Sequence, residues 1–176
     1  MSLLTPIHGE PVTAGPDSGV EGSPRKLRVV VVFNSIEGTV AALTAAASYA
    51  KTLSAEIVIQ VPHVVYFRYP LERPPVSPAY FENLCLALIA EADLDLDEIS
   101  IDIHPCREPL SCLKERLKPQ SLVVIGAVRT WWARREQNLA ATLRKLGHDV
   151  VLVYATPESA RSHSLSVVRR MLAWSV

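Results

Sequence analysis

Cysteine is scarce: there are three in the chain, an odd number, with none at metal-binding spacing. That argues against a disulfide framework and fits a reducing compartment. No charge of one sign prevails. Eighteen Lys and Arg balance eighteen Asp and Glu, so no global field draws nucleic acid or an anionic membrane. No apolar run approaches the roughly 20 residues that a membrane helix needs. The first residues lack a basic start followed by an apolar core, so no secretory signal is expected. No P-loop, dinucleotide fingerprint or nucleophile elbow occurs. These absences point to a cytoplasmic protein without a membrane span and with no catalytic constellation visible in its sequence.

What is present is a chain of 176 residues, 49% hydrophobic, with its apolar residues in short runs. That length suits one domain, burying about two thirds of the surface exposed on unfolding. Residues 1–26 are rich in Pro, Gly and Ser without an apolar period and are expected to form a flexible leader. Residues 27–154 carry the domain, and 155–176 a tail.

The domain alternates two kinds of segment. Leu27-Arg28-Val29-Val30-Val31-Val32-Phe33 has no polar face after its start, as a strand covered on both sides requires. Asn34 with Glu37 three residues on predicts a capping box, and Val40, Leu43, Ala47 and Ala50 share a helical stripe. Ile57–Val61 is a second strand, completing a βαβ unit. A segment with five prolines, Pro62 to Pro78, then carries Tyr66, Phe67 and Tyr69 beside Arg68 and Arg73, a length that marks a functional or mobile loop. Ser77-Pro78 reads as N-cap and first-turn proline of a helix bearing Phe81, Leu84 and Leu88. Ile99–His104 alternates strictly, which predicts an edge strand, and Glu108-Pro109 opens a short helix. Leu122–Gly126 is a central strand, Leu139, Leu143 and Leu146 stripe a helix closed by Gly147, and Val150–Tyr154 is the fifth strand. The fold class is α/β.

The order and spacing of these segments resemble the universal stress protein family over about residues 27–154. The likeness rests on Val30-Val31-Val32-Phe33-Asn34-Ser35 at the first strand, on Ala50-Lys51-Thr52-Leu53-Ser54-Ala55-Glu56-Ile57, on Arg107-Glu108-Pro109 where the family often has Gly-Asp-Pro, and on the closing βαβ unit, Leu122–Gly126 and Asp149–Val153. The resemblance implies a five-stranded parallel sheet in the order 3-2-1-4-5 with helices on both faces, of the adenine-nucleotide alpha-hydrolase-like kind. ATP-binding members carry G-x2-G-x9-G-[ST] after the fourth strand, where glycines admit backbone N–H groups to the phosphates. Here only the first glycine is present, as Gly126; Arg129 takes the second place, and Gln137-Asn138 stand near the third. Asn34 replaces the family's aspartate. Trp131, Trp132, Arg134 and Arg135 occupy the loop instead.

Ligands of such sheets bind at the carboxyl ends of the strands beside the switch point. Asn34, Val61, His63, Gly126, Arg129, Gln137 and Asn138 are therefore the candidate pocket residues. Trp131, Trp132, Arg134 and Arg135 are candidate interface residues, since Trp and Arg dominate interface hot spots; alternatively one indole packs inward and the arginines are solvated. Met171 and Trp174 extend the candidate interface to an amphipathic helix over about 166–176, which packs on its own domain or on a second copy. His104, Cys106 and Cys112 lack zinc spacing, and the acidic run Asp93, Asp95, Asp97, Glu98 lacks a calcium loop's glycine. The expectation is a universal stress protein-like homodimer that works through protein contacts in stress response or signalling, without cofactor and without ATP in the usual mode. The alternative is a binder of ATP, AMP or another anion through Arg129, Arg134 and Arg135; an enzyme ranks third.

Overall fold

Valine-rich strands build the middle of the sheet, and each must be covered on both sides. The structure, a computed structural model, describes residues 27–95, 97, 99–129 and 134–173. The expected leader and Trp131, Trp132 and Trp174 lie outside the described residues. The elements are β1 (Arg28–Val32), α1 (Ile36–Leu53), β2 (Glu56–Val64), α2 (Pro78–Glu91), β3 (Ile99–Cys106), α3 (Pro109–Arg116), β4 (Leu122–Val128), α4 (Arg134–Lys145), β5 (Asp149–Ala155) and α5 (Pro157–Ala173). The strands form one parallel sheet in the order β3-β2-β1-β4-β5. Fold class and strand order are those expected from the sequence.

The strand period of two divides the core. Val29, Val31, Ile57, Ile59, Val61 and Val124 point to the face covered by α1, α2 and α5. Val30, Val32, Val123 and Ile125 point to the face that meets Leu113 and Leu117 near α3 and Ala140 and Leu143 of α4. β3 is an edge strand, as its alternation predicts, with Ile99, Ile101 and Ile103 against the first cluster.

Two helix ends differ from the expected pattern. The N-cap of α1 is Ser35, whose Oγ accepts from the Gly38 N–H at 3.1 Å. Asn34 is displaced from capping because its amide is engaged across the sheet, as described below. The tail helix is also longer than expected, a full α5 of 17 residues. Its inward stripe is Ala160, His163, Val167 and Met171, with Val167 fully buried. The spacing of three and four residues fits one helical face, while Val168 and Leu172 are exposed. The helix thus docks in cis on α1 and α2, and Met171 packs on its own core.

Glu91 at the end of α2 fastens this helix. Its carboxylate lies 2.8 Å from His163 Nδ1, accepts from Ser166 Oγ, and has Arg170 Nε at 3.7 Å. Burial disfavours the charge, but the hydrogen bonds from His163 and Ser166 and the charges of His163 and Arg170 outweigh it and hold the carboxyl below its ordinary value. Among the described residues, no helix is long and apolar enough to cross a membrane.

Candidate functional site

The switch point lies between β1 and β4, whose connections depart to opposite faces of the sheet. Here α1 leaves β1 and approaches β4 so closely that both backbones touch. A Cβ on Gly126 would stand 1.7 Å from the Gly38 carbonyl oxygen, and one on Gly38 would stand 2.6 Å from the Gly126 oxygen. Only paired glycines allow that approach. Asn34 closes the junction: its Nδ2 donates to the Gly126 carbonyl at 2.6 Å, and its Oδ1 accepts from the Ser35 N–H at 2.9 Å. An aspartate here has no donor at neutral pH for that carbonyl.

Beside this junction a crevice of about 310 Å3 opens at the carboxyl ends of β1 and β2. Phe33 and Asn34 come from β1's end, His63 and Val64 from β2, Phe81 from α2, Leu113 from α3, and Arg135, Glu136 and Leu139 from α4. His63 is buried, and its ring packs on Phe81 with centroids 4.5 Å apart. Its Nδ1 has no hydrogen-bond partner among the described residues. Burial lowers the imidazole pKa, favouring the neutral ring. The imidazole thus joins a mixed wall, in which Asn34, Arg135 and Glu136 are the other polar side chains among the described residues.

The structure gathers some of the sequence candidates here and disperses others. Asn34 and His63 line the crevice. Val61 is fully buried in the hydrophobic core instead. Gly126 lies under Gly38. Arg129 is exposed, and its N–H donates to the Ala155 carbonyl at 3.3 Å. Gln137 turns outward, donating to the Tyr154 hydroxyl at 3.2 Å, and Asn138 is exposed. Of the interface candidates, Arg134 is exposed and Arg135 joins the crevice wall.

Gly38, Phe81, Leu113, Glu136 and Leu139 were not among the sequence candidates. Gly38 carried a signal, because a glycine inside a helical pattern usually has a packing reason. The others are ordinary stripe residues until the fold brings their helices together.

The loop over 65–76 is pinned to the adjoining strand end. Val65 N–H donates to the Cys106 carbonyl at 2.8 Å, and Arg107 Nη1 donates to the Val65 and Tyr66 carbonyls at 3.0 and 2.8 Å. The Arg107 guanidinium also sits 5.1 Å from the centre of the Phe67 ring. Despite these ties, Phe67 is 86% exposed and Tyr66 71%.

Two other hollows open outside this crevice. One, of about 500 Å3, opens at the amino ends of the strands among Ala47, Ala50 and Ser54, away from the switch point. A polar one of about 240 Å3 lies on the α3 side of the sheet, where buried Gln60 donates to Asp102 at 2.9 Å and His104 Nε2 lies 2.7 Å from the same carboxylate. Burial opposes the Asp102 charge, yet the His104 and Gln60 contacts hold its pKa below the ordinary value. No group of three metal-ligating side chains forms among the described residues. The chain matches no protein-family model, no curated protein and no solved structure.

Proposed function

We propose that this chain is a universal stress protein-like module that acts through protein contacts in stress response or signalling, first of all with a second copy of itself, and that it does not hold ATP in that family's usual mode. The observation that carries the reading is the apolar edge of β5, where Arg144 Nη2 donates to the Val150 carbonyl at 2.7 Å. Among the described residues that strand, Asp149–Ala155, pairs with β4 alone, and its sequence after Asp149 is wholly apolar apart from the Tyr154 hydroxyl. The opposite edge, β3, carries Asp102, His104 and Pro105. Natural sheets guard their edges with charge, proline or bulges, and an apolar edge without them is a template for pairing. Two copies meeting through β5 across a two-fold axis satisfy each other's outward backbone groups beyond the Val150 carbonyl that Arg144 holds, and close the assembly.

The Gly126–Gly38 contact supports the second half of the proposal, because it accounts for a glycine at 126 without a phosphate. The exposed, tethered aromatics at Tyr66 and Phe67 add a surface with the residue types of an interface. Sedimentation equilibrium on the purified chain tests the reading. The expected mass is twice 19.3 kDa, returning to the monomer in Tyr154→Lys with the melting temperature retained. A wild-type chain that stays monomeric across the accessible concentration range would rule the pairing out.

A second reading, a small-molecule or anion site in the crevice, is favoured by the vacant Nδ1 of buried His63 with Arg135 on the same wall. It predicts that binding of an anionic ligand weakens on Arg135→Ala, whereas the arginines at 129 and 134 contribute little.

A further inference from the structure

On the α3 side the sheet is left partly uncovered. α3 starts beside the carboxyl end of β3 and has eight residues, about 12 Å of helix against about 30 Å for the nine residues of β2. Where its last turn ends, over β1, β2 and β3, lies the polar hollow of about 240 Å3.

Strand alternation builds the floor of this hollow. Ile99, Ile101 and Ile103 pack on the other face, so Ser100 and Asp102 of β3 face this one. β2 reads Ile57-Val58-Ile59-Gln60-Val61, and its one polar residue in that run stands beside Asp102 in the register. Gln60 is 6% exposed, and its Nε2 donates to Asp102 Oδ2 at 2.9 Å. An aliphatic side chain at 60 would fill the space without burying an amide, so packing alone does not call for a glutamine.

The rim is basic. Arg28, Arg116 and Lys118 line it against one carboxylate, Asp102. Glu56 takes up Arg28, whereas Arg116 and Lys118 hold no ion pair among the described residues. Ser121 Oγ donates to the Lys118 carbonyl at 2.6 Å and fixes the turn that carries Lys118. We propose that this hollow is a binding site for a small phosphate monoester that carries hydroxyl groups.

Each part of the lining selects one part of that ligand. The surplus of positive charge favours a net anion over a zwitterion or a neutral polyol, and guanidinium and ammonium groups both take phosphate oxygens. Asp102 and the Gln60 side-chain oxygen are acceptors, so the floor takes hydroxyl donors and repels a bare phosphate. The hollow is smaller than the roughly 300–1,000 Å3 of sites for drug-sized ligands, which leaves out a nucleoside triphosphate. It lies away from β5 and from the crevice at the carboxyl ends of the strands, so the proposal stands apart from both readings above.

The test is an amide NMR titration of the full chain with ribose 5-phosphate, and with inorganic phosphate and ribose as its two halves, up to about 10 mM. The expected result is saturable shifts at the amides of Gln60, Asp102 and Lys118, with the sugar phosphate binding more tightly than either half. Arg116→Ala combined with Lys118→Ala, both exposed and so without cost to the fold, should weaken it about tenfold. Arg135→Ala should leave it unchanged. The proposal is overturned by an absence of saturable shifts at those amides, by inorganic phosphate binding as tightly as the sugar phosphate, or by a loss in Arg135→Ala that the rim variant does not show.

Discussion

Asn34 Nδ2 donates to the Gly126 carbonyl at 2.6 Å, so the residue after β1 is bonded directly to the strand beside it across the switch point. The same bond explains why this side chain does not cap α1 and why Ser35 does. It also sets the chemistry of the position, since a carboxylate there faces an oxygen it has no proton to share with. Asn34→Asp is therefore expected to cost about 1–3 kcal/mol in urea unfolding at neutral pH. The introduced carboxyl is raised above its ordinary pKa by the facing carbonyl, so the deficit against wild type should shrink as pH falls and the acid regains a donor. An unchanged unfolding midpoint would show that the bond contributes nothing.

The glycine pair makes a sharper demand. At Gly126 an added methyl meets backbone atoms of Gly38, with the nearest at 1.7 Å, and backbone does not step aside as a flexible side chain does. Gly126→Ala should destabilise by about 3 kcal/mol. In Gly38→Ala, the helix propensity of alanine returns only about 1 kcal/mol. With its closest contact at 2.6 Å, that variant should still be less stable than wild type. Chemical denaturation measures both, and a neutral Gly126→Ala would refute the close approach.

These two residues also show what the sequence could and could not reveal. The strands were legible because β-branched runs without a polar face have few alternatives, their order only through the family resemblance, and β3 announced its edge through its alternation. Gly126 was visible as a glycine at a strand end, where a family resemblance offers phosphate binding. Its true neighbour, Gly38, lies far away in the chain, and only the fold brings them into contact. His63 was reachable from the rule that ligands sit at strand ends, whereas Phe81, Leu113 and Leu139 look like any helix stripe until three helices converge. The length of α5 was hidden for a similar reason. Its stripe is completed by His163, which is polar in the sequence and inward-facing only because Glu91 receives it.

That contact carries a pH signature. The Glu91 carboxyl is held below its ordinary value in the folded chain. Its contribution is therefore complete above the unfolded pKa of about 4.3 and is lost as pH falls through the folded value. Comparing melting temperatures of wild type and Glu91→Gln should show a wild-type advantage near neutrality that narrows under acid. A constant difference across the series would separate Glu91 from the docking of α5.

Arg107 is the tether of the aromatic loop, through its bonds to the Val65 and Tyr66 carbonyls. Arg107→Ala releases both and leaves them to water. Local opening of the loop should rise about tenfold, read as faster tryptic cleavage after Arg68. Unaltered cleavage at that site would mean that the prolines alone hold the loop.

The most direct test of the central claim is the melting temperature of the purified chain with and without millimolar ATP and magnesium. The account assigns Gly126 to helix packing and the protein's work to contacts, and so predicts that the curve does not move. A ligand present at about 100 times its dissociation constant adds about 2.7 kcal/mol, a rise of several degrees. Such a rise would contradict the account and make the crevice beside His63 and Arg135 the nucleotide site.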